Sequence, residues 1–556
     1  MSRTRLWEHL SGVGDEMVAS IRHLVEALRV RDMRRVLAAY LGFSVAEMAN
    51  FVAILIYAYE VGGASALGLV AFLQLAPATV FAPVGATLGD RYRRELMLIV
   101  AYAAFAASSA SMAIALYADW PVGVIYFLAA VNGTVLTLVR PFHESLLPAL
   151  ARSTEQLTAG YVAGGTIENL GWIAGPLLAG VTAAAWGIGT TFVITTALLF
   201  LGTILVWSVQ TTTAADRGTG QSAIQMTLEG FGAFRGPRPR VILLSSTSVF
   251  FLAGVLEVAT IVLAFEVFGS EDAGAAWLNA AIGIGAAAGS VLAIVLIGKT
   301  HLAPSMRRGL LLIAVSVSLI PIFGSQAVAL VALAVMGAGW TFVDVSGRIM
   351  LQRVIPLGGL SRAFGVVEGT STAAEALGSV AGAVLIGWLG VGWTLVVASL
   401  LIILVVLVNR GALQEADVGV IVPIEHLHLL RSTPMFAALG PAELERLALT
   451  IEEESVGPGS AVCVQGEPGE HFYFVERGTA RVVHDGMDVA TLATGDFFGE
   501  IALLRDIPRT ATVEAVSALD LLVLERGPFL DAIKSSACQI EAAQAVSQTR
   551  MDELGM

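Results

Sequence analysis

A series of long apolar segments constrains the fold of this chain more than any other feature. A helix that crosses a bilayer needs about 20 mostly apolar residues. Segments of this kind occupy 36–60, 66–88, 96–117, 122–141, 159–185, 190–209, 241–268, 274–298, 308–324, 327–355, 363–389 and 392–409. Charged residues make up only 14% of the chain, against about 25% in soluble domains. The sequence therefore predicts an α-helical membrane protein with twelve transmembrane helices.

The placement of Lys and Arg predicts the orientation of these helices. The loops that follow the odd-numbered segments contain neither residue, whereas cations cluster at the N-terminus, after the even-numbered segments and after the last one. Loops rich in Lys and Arg stay in the cytoplasm. We therefore expect a multi-pass protein of the plasma (inner) membrane with both termini in the cytoplasm.

The two halves of the apolar region repeat one another. Arg140 and Arg348 each precede a proline by eight residues, and in the same frame, with one deletion, Glu168 matches Glu375. The first and seventh segments also end alike, with Tyr-Glu and Phe-Glu. Such a repeat predicts two pseudo-symmetric six-helix bundles, 34–209 and 241–409, joined by a cytoplasmic loop at 210–240. In duplicated transporters the substrate site lies between the halves, near the midplane.

The loop between the second and third segments reads Gly85-Ala-Thr-Leu-Gly-Asp90-Arg91-Tyr-Arg-Arg94. It resembles the signature loop of the major facilitator superfamily, although Gly85 is one residue early and Tyr92 or Arg93, depending on the alignment, replaces a usual glycine. Gly175-Pro176 and the residues up to Gly180 resemble an exporter motif of that family. The resemblance covers about 30–410, is closest to drug and siderophore exporters, and implies transport by alternating access. It also implies a cytoplasmic gate at Asp90, Arg91 and Arg94, with Asp90 near the positive end of the eleventh helix. The alternative is a simple positive-inside anchor.

Ionisable side chains inside the apolar segments are the main chemical signal. A charge at the bilayer centre costs about 2.5–3.5 kcal/mol on insertion scales, so such residues are usually functional. A desolvated carboxyl can carry a proton, and an excess of acids suits a cationic substrate. The candidates for proton coupling or substrate binding are Glu47, Glu168, Glu257, Glu375, Glu368, Asp344, Arg140 and Arg348. The alternatives are structural hydrogen bonds between helices and, for Asp344 and Arg348, a local i,i+4 pair.

The ends of the chain differ from the apolar body. Residues 1–33 form an amphipathic pattern with several arginines, typical of a cytoplasmic or interfacial helix. A short linker at 410–426 leads to a tail domain at 427–556. From Pro423 onward there are 9 Lys and Arg against 21 Asp and Glu, a net charge of −12. Such an acidic domain is a poor partner for nucleic acid, which needs clustered cations.

The tail carries the most specific motif. Short β-like segments at 461–464, 471–475, 480–483 and 489–492, separated by Gly, Asp and Pro, predict a small β-barrel or jelly roll with flanking helices. The run Gly495-Asp-Phe-Phe-Gly499-Glu500-Ile501-Ala502 through Arg509-Thr510-Ala511 resembles the phosphate cassette of cyclic nucleotide-binding domains. Backbone N–H groups at a helix N-terminus bind phosphate, and a guanidinium binds its oxygens with two parallel bonds. The resemblance implies that Gly499, Glu500, Ile501, Ala502, Arg509, Thr510 and Ala511 bind cAMP, with cGMP permitted by the Thr510 hydroxyl.

Together these patterns predict a secondary transporter regulated by a cytoplasmic cyclic nucleotide. Its partners would be the lipid bilayer, protons and a small amphipathic or cationic substrate, and its direction would be export. The 2 cysteines and the histidines show no metal-ligand spacing, so no metal is expected. No Walker loop, Gly-x-Ser-x-Gly elbow or paired-His helix occurs, so no enzymatic activity is expected. Two alternatives stay open, a membrane-anchored nucleotide receptor that does not transport and a lipid or lysolipid flippase. The sequence gives no oligomeric state.

Overall fold

A computed structural model describes residues 30–534 together with Gln548, with gaps at 92, 151–153, 210–229, 294–300, 356, 418–423 and within 434–446. The predictions for the amphipathic segment before residue 30 and for most of the central loop lie outside the described residues. The chain forms two compact units, Met1–Val418 and Gly419–Met556.

The first unit is helical. Its elements are α1 (Arg31–Arg91), α2 (Arg94–Tyr117), α3 (Val122–Leu150), α4 (Thr154–Trp186), α5 (Ile188–Trp207), α6 (Pro237–Val262) with a π-helical turn (Leu263–Val267), α7 (Glu271–Ala293), α8 (Ala303–Phe323), α9 (Gln326–Val354) and α10 (Leu357–Ala416). Among the described residues, nine helical segments are long and apolar enough to cross a membrane. A multi-pass helical membrane unit is thus confirmed, and the count of twelve stays a prediction.

Two of these helices each contain two of the predicted apolar segments. The backbone leaves helical geometry at Gly62 and Gly63 in α1 and at Gly390 in α10. Gly63 has φ +63° and Gly390 has φ +78°, a region that glycine enters at little cost. The chain therefore reverses at these points without a longer loop. Beyond the last apolar segment, α10 continues to Ala416, so the predicted linker begins as helix.

The helices of each bundle pack with their backbones in contact. In the first bundle, a Cβ on Gly171 of α4 would lie 2.6 Å from Ser44 Cβ of α1. In the second, a Cβ on Gly254 of α6 would overlap the carbonyl oxygen of Glu375 in α10. Small residues let membrane helices approach this closely, because packing rather than the hydrophobic effect holds them together.

The second unit is β-rich. A helix α11 (Ile424–Ser432) precedes eight strands, β1 (Glu452–Val456), β2 (Ala461–Cys463), β3 (His471–Arg477), β4 (Ala480–His484), β5 (Met487–Leu492), β6 (Phe497–Phe498), β7 (Thr512–Ala515) and β8 (Leu519–Glu525). A short helix α12 (Glu500–Arg505) follows β6, and α13 (Arg526–Lys534) follows β8. The strands form two antiparallel sheets of four, in the orders β1-β8-β3-β6 and β2-β7-β4-β5.

Strand β3 separates two cores, because its side chains alternate between the faces of its sheet. Phe472 and Phe474 pack with Phe436 and Phe529 on the helical side. Tyr473 and Val475, together with residues of β6, β7 and β8, form a second cluster. Strands β2 to β5 match the predicted segments, whereas β1, β6, β7 and β8 were not predicted. The cassette begins just before β6 and ends directly before β7.

Candidate functional site

A sharp turn and a short helix form the predicted phosphate cassette. Gly499 directly precedes α12 and has φ +94°. A Cβ at this position would also lie 2.6 Å from Arg509 Nη1 and 2.8 Å from the His471 carbonyl oxygen. Glycine is therefore required here both by backbone geometry and by space. Glu500, Ile501 and Ala502 follow in α12 and are buried, so the first backbone N–H groups of this helix are presented without bulky exposed side chains.

Arg509 lies inside the site rather than on the surface. Its side chain is 6% exposed. The guanidinium donates to the Gly499 carbonyl oxygen at 3.2 Å and to the His471 carbonyl oxygen at 2.7 Å. It also lies 5.6 Å from the centre of the Tyr473 ring, within range of a cation–π interaction. The cation is therefore positioned before any anion binds, which lowers the entropic cost of binding.

The loop before β3 completes the wall around this cation. Arg509 N donates to the Glu467 carbonyl oxygen at 2.8 Å, and Gly466 N donates to the Arg509 carbonyl oxygen at 2.9 Å. Arg526, at the start of α13, donates to Asp506 at the end of α12 and, at 3.4 Å, to the Gly469 carbonyl oxygen. The cassette, this loop and α13 are thus tied together by side chains that the sequence analysis did not single out.

The two residues after Arg509 contact His484 and Cys463 through their carbonyl oxygens. The His484 ring lies 2.8 Å from the Thr510 carbonyl oxygen through Nδ1, and Ala511 is buried. Cys463 Sγ lies 3.9 Å from the Ala511 carbonyl oxygen. Burial raises the pKa of the Cys463 thiol, although the positive charge of Arg509 opposes the shift. Burial likewise raises the pKa of the Tyr473 hydroxyl, so the ring beside the cation stays neutral.

A charged cluster lies inside the first helical bundle. Arg140 Nη2 lies 3.2 Å from Glu47 Oε2, and Arg140 Nε lies 4.0 Å from Glu168 Oε1. The Tyr40 hydroxyl donates to Glu168 Oε1 at 2.5 Å, and the Tyr40 ring stacks on His143 with centroids 3.8 Å apart. Three candidate residues that are far apart in sequence, on α1, α3 and α4, therefore lie together, with Tyr40 and His143 as additional members.

The second bundle arranges the same residue types differently. Arg348 Nε donates to both Asp344 oxygens at 3.0 Å, the local pair given above as an alternative. Glu257 on α6 and Glu375 on α10 lie on helices that pack closely, since a Cβ on Gly254 would overlap the Glu375 carbonyl oxygen. Glu368 is exposed, two helical turns before Glu375. The eight candidate residues therefore form a cluster of three, the Asp344–Arg348 pair, two glutamates on adjacent helices and a single exposed acid.

The helical unit resembles a known protein family and a solved structure. The family model "Major Facilitator Superfamily" matches residues 36–359, more than half of the chain. The chain belongs to the Major Facilitator Superfamily. A solved structure of a mutant of the nucleoside transporter NupG aligns over 69% of this chain and 99% of its own, with a TM-score of 0.59 and 11% identity. At that identity it supports the helical fold alone.

The second unit of this superfamily member matches another family. The model "Cyclic nucleotide-binding domain" covers residues 453–536. A cAMP-dependent protein kinase regulatory subunit of Yarrowia lipolytica is 42% identical over 116 residues, 19% of this chain and 31% of that protein. A cyclic nucleotide-gated potassium channel of Mesorhizobium japonicum is 33% identical over 145 residues, 26% of this chain and 39% of that protein. The match thus spans well under half of either relative. A cyclic nucleotide is therefore the regulatory ligand that this domain supports.

Two contacts join the superfamily bundles at the ends predicted to be extracellular. The Tyr59 hydroxyl donates to Glu266 Oε1 at 2.9 Å, which joins the two repeated segment ends. A Cβ on Gly180 would lie 2.8 Å from the Asp272 carbonyl oxygen. In the second bundle, the Arg348 side chain is 52% exposed.

The structure describes only part of the predicted cytoplasmic gate. The side chains of Asp90 and Arg91 lie outside the described part of the chain, and Arg94 is half-buried. The cytoplasmic gate therefore stays a prediction. Tyr40 could have been found from the sequence, because it lies two helical turns before Glu47 on the same face of α1. The sequence indicates a role for Tyr473 less clearly, because this residue stands out only as a polar aromatic ring within the alternating pattern of β3.

Proposed function

We propose that this superfamily member is a secondary transporter whose activity is controlled by cAMP or cGMP binding to its C-terminal unit. The observation that carries the proposal is the buried Arg509 guanidinium. It lies between Gly499 and Tyr473 and is positioned to donate hydrogen bonds to a cyclic phosphate. In the same chain, helical bundles with intramembrane charges supply the transport unit. A pure anchor would need neither Arg140 nor its acidic partners.

Control by the nucleotide requires a difference in affinity. A ligand shifts a conformational equilibrium only as far as it binds one state more tightly than the other. A tenfold difference in affinity corresponds to about 1.4 kcal/mol, and a shift of this size is enough to change the rate of an alternating-access cycle. Activation and inhibition are then distinguished by which state binds more tightly.

The charged residues within the helical bundles support proton-coupled export of a small amphipathic or cationic molecule. Glu47, Glu168, Glu257, Glu368 and Glu375 give these bundles more candidate acids than candidate cations, which favours a cationic substrate over an anionic one. A membrane acid that alternates between two aqueous sides can carry a proton against the substrate. We place this transporter in the plasma (inner) membrane, with the gate predicted around Asp90 on the cytoplasmic side, and assign it no enzymatic activity.

The test uses the full chain in liposomes with ethidium as a fluorescent cationic probe. We expect an imposed pH gradient to drive ethidium accumulation by wild-type protein, and cAMP or cGMP to change its rate. No movement of ethidium, together with movement of a fluorescent lysolipid, would favour the flippase. No movement of either, together with tight nucleotide binding, would favour the receptor.

Nucleotide identity is tested by calorimetric titration of the full chain. We expect micromolar or tighter binding of cAMP, of cGMP or of both, and its loss in Arg509→Ala. Absence of heat and of any shift in melting temperature with either nucleotide would remove the regulatory part of the proposal.

A further inference from the structure

The last helix of the membrane unit extends past its apolar segment. It turns at Gly390 and continues to Ala416, whereas the apolar segment ends at Asn409. The matching helix of the first bundle, α5, follows a turn at Gly187 and ends at Trp207, within its own apolar segment. Both turn glycines have positive φ, so the two helices start alike. The extension is therefore a feature of the helix that leads to the nucleotide-binding unit.

The final turn of this extension is buried. Leu413 and Ala416 belong to the same core cluster as the start of α8. The residues of that start in the cluster are Leu302, Ala303 and Met306. Segments that only connect two domains normally run over the surface. The end of α10 is instead part of the packed second bundle.

Asp417, the next residue, binds the start of α8 directly. Its Oδ1 accepts a hydrogen bond from Leu302 N at 3.0 Å, and its Oδ2 accepts one from Ala303 N at 3.0 Å. The Asp417 side chain is 5% exposed, and His301 Nδ1 lies 3.6 Å from Oδ2. The first N–H groups of a helix have no partner within the helix, and the apolar side chain of Leu302 cannot accept from them. The cap of α8 therefore comes from the end of α10, through two bonds that we call the Asp417 clasp.

The clasp holds a helix that packs closely on its neighbour. A Cβ on Gly309 of α8 would lie 2.9 Å from the Gly339 carbonyl oxygen and 2.9 Å from Val343 Cγ2, both on α9. Val343 directly precedes Asp344, which pairs with Arg348. Close-packed interiors transmit strain because they have little free space to absorb it. A displacement of α8 should therefore reach the helix that carries this charged pair.

Asp417 also lies at the junction of the two units. The membrane unit ends at Val418, and residues 418–423 separate Asp417 from α11, the first helix of the second unit. A displacement carried along the chain from the nucleotide-binding unit therefore enters the described part of the membrane unit at Asp417. We propose, resting on the regulation proposed above, that the Asp417 clasp transmits nucleotide binding to the second bundle, because it makes the end of α10 and the start of α8 move together.

Coupling of this kind acts in both directions. If nucleotide binding favours one conformation of the bundles, that conformation binds the nucleotide more tightly by the same factor. With the clasp intact, the end of α10 follows α8 in each conformation. Without the clasp, the end of α10 can shift while α8 stays in place. Loss of the Asp417 carboxylate should therefore remove regulation and leave nucleotide binding itself intact.

Hydrogen–deuterium exchange measures this transmission without transport. The full chain in lipid nanodiscs is exchanged with and without cAMP or cGMP, and mass spectrometry follows a peptide that contains the Leu302 and Ala303 amides. We expect the nucleotide that binds to change exchange of this peptide in wild type. In Asp417→Ala these amides should exchange faster, because they lose their acceptor, and should not respond to nucleotide. An equal nucleotide response in Asp417→Ala, or no response in wild type that binds nucleotide, would overturn the proposal.

Two further variants separate the clasp from loss of charge and from loss of folding. Glu415→Gln removes one negative charge from the same final turn, where Glu415 is exposed, and should keep the wild-type response. Asp417→Asn keeps the side-chain shape and one oxygen that can accept one of the two bonds, so it should fold and respond less than wild type. Thermal unfolding identifies any variant that is not folded. A Glu415→Gln protein that loses the response as fully as Asp417→Ala would show that charge alone is responsible and would overturn the proposal.

Ethidium transport in liposomes connects the clasp to regulation. Nucleotide should change the wild-type rate, whereas Asp417→Ala should transport at one rate with and without nucleotide and bind it with the wild-type Kd in calorimetric titration. A folded Asp417→Ala protein whose rate responds to nucleotide as wild type does would contradict the role of the clasp. If the wild-type rate does not respond to a nucleotide that binds, the regulation proposed above fails, and exchange at the start of α8 still decides whether the clasp transmits binding.

Discussion

Replacing Arg509 by alanine should weaken cAMP binding about 100-fold. Hydrogen bonds to charged groups contribute about 1.5–3 kcal/mol each, and a guanidinium can donate two to a phosphate. In the free protein the same group already donates to the Gly499 and His471 carbonyl oxygens at 3.2 and 2.7 Å. When the phosphate binds, bonds to the phosphate replace some of these bonds to carbonyl oxygens. We therefore count the free energy of one hydrogen bond, about 2.7 kcal/mol, which corresponds to a 100-fold change in Kd.

Calorimetric titration of the full chain measures this change in Kd. Arg509→Lys should lose less than the alanine variant, because lysine keeps the charge and lacks the planar fork. The control is Arg481→Ala on the same unit. Arg481 is an exposed arginine paired with Glu514 at 2.7 Å, and exposed ion pairs contribute little to stability. Its Kd should stay within about twofold of wild type.

Loss of folding has to be distinguished from loss of binding. Removal of Arg509 also leaves two backbone carbonyls near the site without their donor, at a stability cost of about 1–3 kcal/mol. Thermal unfolding without ligand therefore accompanies each titration. A folded Arg509→Ala protein that binds cAMP as tightly as wild type would refute the assignment of this residue to the phosphate.

Three further predictions follow from individual contacts. Gly254→Ala should lower the melting temperature of the membrane unit, because the added methyl group would overlap the Glu375 carbonyl oxygen. Gly365→Ala should leave the melting temperature unchanged, because the space around Gly365 is open. An equal effect of the two substitutions would contradict this packing. Asp417 accepts from Leu302 N and Ala303 N at 3.0 Å, so Asp417→Ala should cost about 0.5–2 kcal/mol, measured by thermal unfolding with wild type as reference. Alkylation of Cys463 should keep accelerating above pH 9, since burial raises its thiol pKa beyond the usual 9.0, and a rate that levels off near pH 8 would contradict this.

The sequence predicts the membrane region well, because long apolar segments depend only on local composition. It predicts the cassette for a similar reason, since Gly499 and Arg509 belong to one continuous motif. Neither of these predictions depends on knowing which helices contact each other.

What the sequence could not predict are the pairings across the fold. Glu257 and Glu375 lie on helices far apart in the chain, and only the packing through Gly254 brings them together. The pairing of Glu168 with Tyr40 likewise depends on the contact between α1 and α4. Strands β7 and β8 were missed because they are short or carry no alternating pattern.

The most direct test of the whole account is the rate of ethidium transport against cAMP and cGMP concentration, in liposomes that contain the full chain. Wild-type protein should change its rate with a half-point equal to the calorimetric Kd, and Arg509→Ala should show the nucleotide-free rate at all of those concentrations. A wild-type rate that does not depend on either nucleotide, in protein that binds one of them tightly, would contradict regulation of the transporter by its C-terminal unit.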